Sequence, residues 1–305
     1  MTTHDLPISR VGVVGAGTMG LGIAEVCARS GADVVVVDAE KAATARGQER
    51  VRNSLHRAAA AGKLDADGVE QAVARLRFGV DPAALADREL VVEAIPEDEQ
   101  LKRQLFALLD EVVEDDHAIL ATNTSSIPVA RLAMATRRPH AVVGIHFSNP
   151  APVMSLVELV ASLVTSPATL QRARTFAGQQ LGKVVITSTD RAGFVLNALL
   201  IPFILSGVRM LEAGFATAED IDTALVAGAN HPMGPLALSD LIGLDTLQAA
   251  AQSLYAEFKE PLYAPPPLLL RMVEAGFLGR KSGSGFFSYP DPDQESSSSR
   301  REESK

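Results

Sequence analysis

The sequence predicts an α/β fold, a doubly wound and mostly parallel sheet followed by an all-α C-terminal domain. Three observations carry that expectation. The apolar run Arg10 to Val14 leads through Gly15-Ala-Gly-Thr-Met-Gly20 into an amphipathic stretch ending near Cys27, and a second apolar run, Val34 to Val37, closes on Asp38. From there to about residue 190, strand-like and helical patterns alternate, as in successive βαβ units. Beyond Asp190 only helical patterns remain. The expected organisation is a Rossmann-type domain over residues 1–190, a helical domain over 191–290, and a tail over 291–305 that is Ser-rich, charged and therefore disordered.

The first unit is the most specific. Gly15, Gly17 and Gly20 stand in the G-x-G-x-x-G positions between a strand and a helix. Gly15 permits the tight turn, Gly17 lets the backbone approach a pyrophosphate, and Gly20 lets the helix pack close to the strand. The N–H groups at the helix start face the phosphates. Asp38, at the carboxyl end of the second strand, accepts hydrogen bonds from ribose hydroxyls and repels a 2′-phosphate, so NAD is favoured over NADP.

Ala42 to Gly62 has helical spacing, with Val51 and Leu55 inward and Arg46, Arg50, Arg52, Arg57 and Lys63 on other faces. In an acidic chain this cation cluster is either a solvated face or a landing site for a phosphate-bearing ligand. Helical spacing continues through Val69 to Leu76, followed by a short strand at Phe78 to Val80. The buried strand Glu89 to Ile95 ends at Pro96, and Glu97, Asp98 and Glu99 open a helix, where acids ordinarily complement the dipole.

Strand His117 to Thr122 ends in Asn123-Thr-Ser-Ser126, and strand Ala141 to Ile145 ends in His146-Phe-Ser-Asn-Pro150. An open α/β sheet binds its ligands beyond such strand ends. If Met154 to Val160 folds back as a further strand, His146 and Glu158 are equidistant from Pro152 and face each other as a cross-strand pair. A carboxylate within Leu156-Val-Glu-Leu-Val160 is costly to bury without a partner, which is the physical reason to pair them. A satisfied core histidine and an edge-strand glutamate are the alternatives. A helix over 164–182 and a strand at Val184 to Ile186 complete the domain.

Phe194 to Leu211 is apolar nearly all round, as in a helix buried on several sides, including a subunit interface of a homodimer. Asn197 is a conspicuous exception, either a packing or capping residue or one that reaches the ligand cleft. Helices follow at Ala218 to Leu225, Leu236 to Ile242, Thr246 to Tyr255 and Leu268 to Ala275, before a loop over Gly279 to Gly285.

Composition narrows the classes further. A chain of 305 residues with 47% hydrophobic content can bury the cores of two domains. Its net charge of −9 argues against non-specific nucleic-acid binding, while leaving room for a local basic patch. No apolar stretch reaches transmembrane length and the N-terminus has no signal-like pattern, so a cytoplasmic protein without a membrane partner is expected. One cysteine, Cys27, forms neither an intramolecular disulfide nor a metal cluster; it is expected as buried filler, with no metal site.

In order along the chain, Gly15 to Gly20, Val92-Glu-Ala94, Asn123 to Ser126, His146 to Pro150, Leu156-Val-Glu158, Gly193-Phe-Val-Leu-Asn197, His231-Pro-Met-Gly-Pro235 and Gly279 to Gly285 resemble the L-3-hydroxyacyl-CoA dehydrogenases, especially the bacterial 3-hydroxybutyryl-CoA dehydrogenases. The resemblance implies reversible, NAD-dependent oxidation of a short-chain L-3-hydroxyacyl-CoA to the 3-ketoacyl-CoA. It places a catalytic dyad on His146 and Glu158, and substrate-oxygen contacts on Ser125 and Asn197. Cofactor contacts fall on Asp38, Glu97, Lys102 and Asn123 beside the three glycines, and coenzyme A phosphate contacts on Arg57 and Lys63. In that chemistry the histidine takes the hydroxyl proton, and the glutamate fixes its tautomer and stabilises the imidazolium. Three positions depart from the family pattern: Ser148 replaces a second aromatic, Ser155 a common basic residue, and Ala61 a third cation. They leave open a substrate carried on an acyl carrier protein. A sugar-type hydroxy acid without thioester and a non-catalytic NAD-binding relative are the remaining readings.

Overall fold

Successive valines in the central strands point to opposite faces of one sheet, and both faces are covered. Val34 and Val36 join one buried cluster with Val11, Val13 and Val92, while Val35 and Val37 join a second with Val14, Val91 and Leu120. This period of two with no polar face is why these strands read as continuous apolar runs. In the computed structural model, which describes residues 7–289, the chain divides into two compact units that meet in sequence between Phe194 and Val195. The tail expected to be disordered, 291–305, lies outside the described residues.

The first unit contains, in order, β1 (Arg10–Val14), α1 (Thr18–Arg29), β2 (Asp33–Val37), α2 (Lys41–Ala60), α3 (Ala66–Ala74), β3 (Leu76–Gly79), β4 (Leu90–Glu93) and α4 (Glu99–Val112). β5 (Ile119–Thr122), α5 (Val129–Ala133), β6 (Val142–Phe147), β7 (Leu156–Ala161), α6 (Pro167–Thr175) and β8 (Val184–Thr189) follow. The strands form one sheet in the order β3-β2-β1-β4-β5-β6-β7-β8. All neighbours are parallel except β6 and β7, which are antiparallel. The sheet is therefore Rossmann-type and mostly parallel. β1 pairs with β2 on one side and β4 on the other. Strand order reverses there, opening a crevice at the carboxyl ends.

Several boundaries differ from expectation. The third helix stops at Ala74, and Leu76 already pairs in β3 opposite Val34. β6 runs on through His146 to Phe147, so the histidine is a strand residue. The single helix expected over 164–182 is α6, capped by Ser166 on the Thr169 amide, and then a π-helical turn at Phe176–Gln180. β8 extends to Thr189 because β7 offers it a full parallel ladder. The unanticipated α5 is too short for periodicity to reveal. Its first turn is held by Asp190, whose carboxylate accepts from the Val129 and Ala130 amides at 2.8 Å each.

The second unit is all helical: α7 (Leu196–Glu212), α8 (Ala218–Ala229), α9 (Pro235–Ile242), α10 (Leu244–Phe258) and α11 (Pro267–Glu274). The first of these begins two residues later than expected, because Phe194 has a φ of 47°, outside the helical region. Buried Asp240 on α9 accepts from the Phe286 and Phe287 amides, each at 2.9 Å, and from the Tyr289 hydroxyl at 3.0 Å, tying the C-terminal loop down. α7 buries Ile201, Ile204, Leu205 and Val208, yet leaves Leu199 70% exposed. Among the described residues no helix is long and apolar enough to cross a membrane, and no group of three or more His, Cys, Asp or Glu side chains could hold a metal. Cys27 is buried, and burial pushes its thiol up to about 12.

Candidate active site

The glycine turn stands at the strand-order reversal, and each glycine answers a local constraint. Gly15 has a φ of 109°, and a Cβ there would lie 2.5 Å from the Ala94 carbonyl oxygen. A Cβ on Gly20 would lie 1.9 Å from the Gly15 carbonyl oxygen, so α1 can follow the turn this closely only without a side chain. Gly17 is exposed, with no atom within 4 Å of where its Cβ would be. It leaves an open cradle at the start of α1, a shape that suits a pyrophosphate. Asp38 does two jobs: its carboxylate accepts from the Ala16 amide at 2.7 Å and the Glu40 amide at 3.0 Å, and it also lines the cleft. That cleft has a volume of about 1070 Å³ and is lined by Gly15, Gly17, Asp38, Glu97, Lys102, Asn123 and Ser125 among others. Gly20 is not in its lining; it acts through packing alone.

Beside the cradle, Glu93 is fully buried at the end of β4. Its carboxylate accepts from Lys102 Nζ at 2.6 Å, the Thr122 hydroxyl at 2.7 Å and the Ile95 amide at 2.8 Å. The Lys102 ammonium, also buried, reaches Glu97 at 3.0 Å. Glu97 lies before the helix, where Asp98 caps the Leu101 amide instead, so the plain alternative of a dipole complement within the first turn does not describe it. It grips the turn after β5, accepting from the Thr124 hydroxyl, from the Ser126 hydroxyl at 2.7 Å and from the Ser125 and Ser126 amides at 3.2 Å each. Burial acts to raise the Glu97 carboxyl, but the Lys102 charge and these hydrogen bonds outweigh it and hold the group below the usual carboxylate range.

His146 and Glu158 are direct partners in the β6–β7 ladder. Histidine Nδ1 lies 2.9 Å from Glu158 Oε2. Glu158 is 0% exposed, whereas His146 keeps 9%. Phe194 stands edge-on to the imidazole, with ring centroids 5.3 Å apart. Asn123 ties this ladder to the cleft: it lines the cleft while its side-chain oxygen accepts from the Phe147 amide at 2.9 Å. Ser148, just past the strand, has a buried hydroxyl with no hydrogen-bond partner.

A second cleft, of about 540 Å³, lies between α1, α2 and the β6–β7 turn. It gathers Arg29, Arg50, Arg57 and Lys63, with Glu25 as its one acid, and Ala61 and Pro150 are also in its wall. The cations of α2 and the turn after it thus separate by place. Arg57 and Lys63 line this cleft, Arg46 lines the nucleotide cleft, Arg50 lines both, and Arg52 lines neither. Asn197 stands in the first turn of α7, in the second unit.

Sequence reasoning left Glu93 unassigned, although the cost of a carboxylate in a buried strand applies to it as it does to Glu158. Arg50 carried no special signal, since only the fold shows which helical face meets which cleft.

The sheet order, the glycine cradle and the carboxylate at the end of β2 define a dinucleotide-binding protein of the Rossmann class. Residues 10–191 match the family model for the NAD-binding domain of 3-hydroxyacyl-CoA dehydrogenase, and residues 193–289 match that for its C-terminal domain. The chain is 56% identical over 282 residues to a 3-hydroxybutyryl-CoA dehydrogenase of Mycobacterium tuberculosis, covering 92% of this chain and 99% of the relative. It is 38% identical over 289 residues to the mitochondrial hydroxyacyl-coenzyme A dehydrogenase of Sus scrofa, covering 92% and 91%. A crystal structure of (S)-3-hydroxybutyryl-CoA dehydrogenase from Ralstonia eutropha superimposes with a TM-score of 0.89 at 43% identity, covering 93% of this chain and all of that one. The chain belongs to the 3-hydroxyacyl-CoA dehydrogenase family. It is an NAD-dependent oxidoreductase acting on the hydroxyl group of a 3-hydroxyacyl thioester.

Proposed function

We propose that the enzyme interconverts short-chain L-3-hydroxyacyl-CoA, such as 3-hydroxybutyryl-CoA, and the 3-ketoacyl-CoA, with His146 as the base. The observation that carries this reading is the 2.9 Å contact between His146 Nδ1 and a sealed Glu158. With Nδ1 bonded to the carboxylate, Nε2 is left as the lone-pair nitrogen that receives a proton, and the positive ring that results is stabilised by Glu158. Ser125 and Asn197 are assigned to the substrate oxygen, orienting the carbon that loses hydride. Gly15, Gly17 and Asp38 would hold NAD, which supplies the hydride acceptor; Glu97, Lys102 and Asn123 line the same cleft and would contact it there. The open cradle at Gly17 fits that group.

Arg57 and Lys63 are assigned to the coenzyme A phosphates, because they line a concave cleft rather than a flat basic face. A small phosphate needs a few convergent cations, whereas an acyl carrier protein presents a broad acidic surface. A homodimer formed by the helical unit and a cytoplasmic location belong to the same proposal. The first is supported by the exposed apolar side chains of α7 and the second by a lone buried thiol.

Replacing His146 by Gln tests the central assignment. The expected result is a kcat lower by about 10² to 10⁴, with NADH affinity unchanged. A variant that turns over acetoacetyl-CoA at near wild-type kcat would remove His146 from the base role.

A further inference from the structure

Two clefts that each receive a phosphorylated ligand share one wall, and that wall holds a single cation. The inference rests on the assignment of the cradle to NAD and of the basic cleft to the coenzyme A phosphates. Thr18, the first residue of α1, lines both clefts, and so does Arg50 of α2. The Arg50 guanidinium donates to the Thr18 hydroxyl at 3.2 Å, which places its head at the helix start where the glycine turn leaves Gly17 open. This bond uses one of five N–H donors, and both residues are exposed, so the remaining donors stay available to ligands. None of the other lysines and arginines of α2 has this position: Arg46 meets only the nucleotide cleft, Arg57 only the basic cleft, and Lys41 and Arg52 neither.

We propose that Arg50 is a shared phosphate-binding residue, contacting the cofactor pyrophosphate from one side and a coenzyme A phosphate from the other. Bound in neighbouring clefts, these two anionic ligands repel each other, and a cation between them offsets that repulsion. Arg50 thereby couples the two binding events: it lets cofactor and thioester occupy the protein together without weakening one another. Its planar fork serves two oxygens in different directions, which a lysine ammonium held on Thr18 does less well.

The test is binding rather than turnover. NADH and free coenzyme A do not react with each other, so each can be titrated alone and in the presence of the other, by NADH fluorescence and by calorimetry, at low ionic strength. Arg50→Met is compared with wild type and with Arg52→Met, which changes an exposed arginine of the same helix outside both clefts. The expected result for Arg50→Met is a Kd about tenfold weaker for each ligand alone, with NADH weakened further when coenzyme A saturates the protein. Arg50→Lys should restore part of each affinity, and Arg52→Met should match wild type. These differences should shrink as salt is added, since the site is solvent-exposed. If either ligand alone binds Arg50→Met within twofold of wild type, Arg50 is not shared and the inference fails while the proposed function stands. If wild type binds NADH but not coenzyme A, the assignment of the basic cleft fails, and this inference with it.

Discussion

Asp38, assigned to the ribose hydroxyls of NAD, lines the cleft and also holds the Ala16 amide of the glycine turn. Changing Asp38 to Ser and Ala39 to Arg together should shift kcat/KM toward NADPH by about 10- to 100-fold, since a repulsion becomes a charge-assisted hydrogen bond. The same change should lower kcat/KM with NADH, because the turn loses its tether. Equal use of NADH and NADPH by wild type would contradict this role of Asp38. Glu97 carries a pH signature. Its carboxyl is held below its ordinary value by Lys102 and by donors from the Thr124–Ser126 turn. A depressed carboxylate pKa contributes stability that is present above the unfolded value of ~4.3 and lost as pH falls through the folded one. The gap in melting temperature between wild type and Glu97→Gln should therefore be constant near neutrality and narrow below about pH 4.3. A gap that widens on acidification would reverse the sign of the argument.

At the scale of elements, the start of α1 is set by contact rather than by helix propensity. It begins without a side-chain cap, and its entry is shaped by the close approach of Gly20 to the Gly15 carbonyl. Gly20→Ala should cost on the order of 1–3 kcal/mol through overpacking, and should weaken NADH binding because the turn must shift. Chemical denaturation and NADH fluorescence read the two effects separately. A variant with wild-type stability and affinity would show that the turn relaxes freely. The β6–β7 pairing is the second such element. Register alone puts His146 opposite Glu158, so a one-residue slip would send the two side chains to opposite faces.

For the whole molecule, apolar surface on the helical unit bears on assembly. Leu199, Met210 and Phe215 are exposed there, large apolar side chains that a partner surface would cover. The enzyme should run as a homodimer, with twice the 32.2 kDa mass of the chain in multi-angle light scattering at micromolar concentration. A mass of one chain under those conditions would refute it, and charged substitutions at Leu199 and Phe215 should favour the monomer.

The nucleotide cradle, the alternation of strands and helices, and the His146–Glu158 register were all legible in the sequence, because each depends on residues close along the chain. Glycine spacing, period-two apolar runs and equal distance from a turn are local properties, and local sterics enforces them. The Glu93–Lys102–Glu97 latch was not legible, although the sequence contains each residue in plain view. Both carboxylates also accept from hydroxyls at the end of β5 and in the turn after it, Thr122 for Glu93 and Thr124 and Ser126 for Glu97, and only the parallel pairing of β4 with β5 brings those to them. The fate of the cations on α2 and just after it was decided the same way. Helical spacing lets an arginine face any neighbour, and it is the packing of α2 beside α1 and the β6–β7 turn that sends Arg57 and Lys63 to one cleft, Arg46 to another and Arg50 to the wall between them.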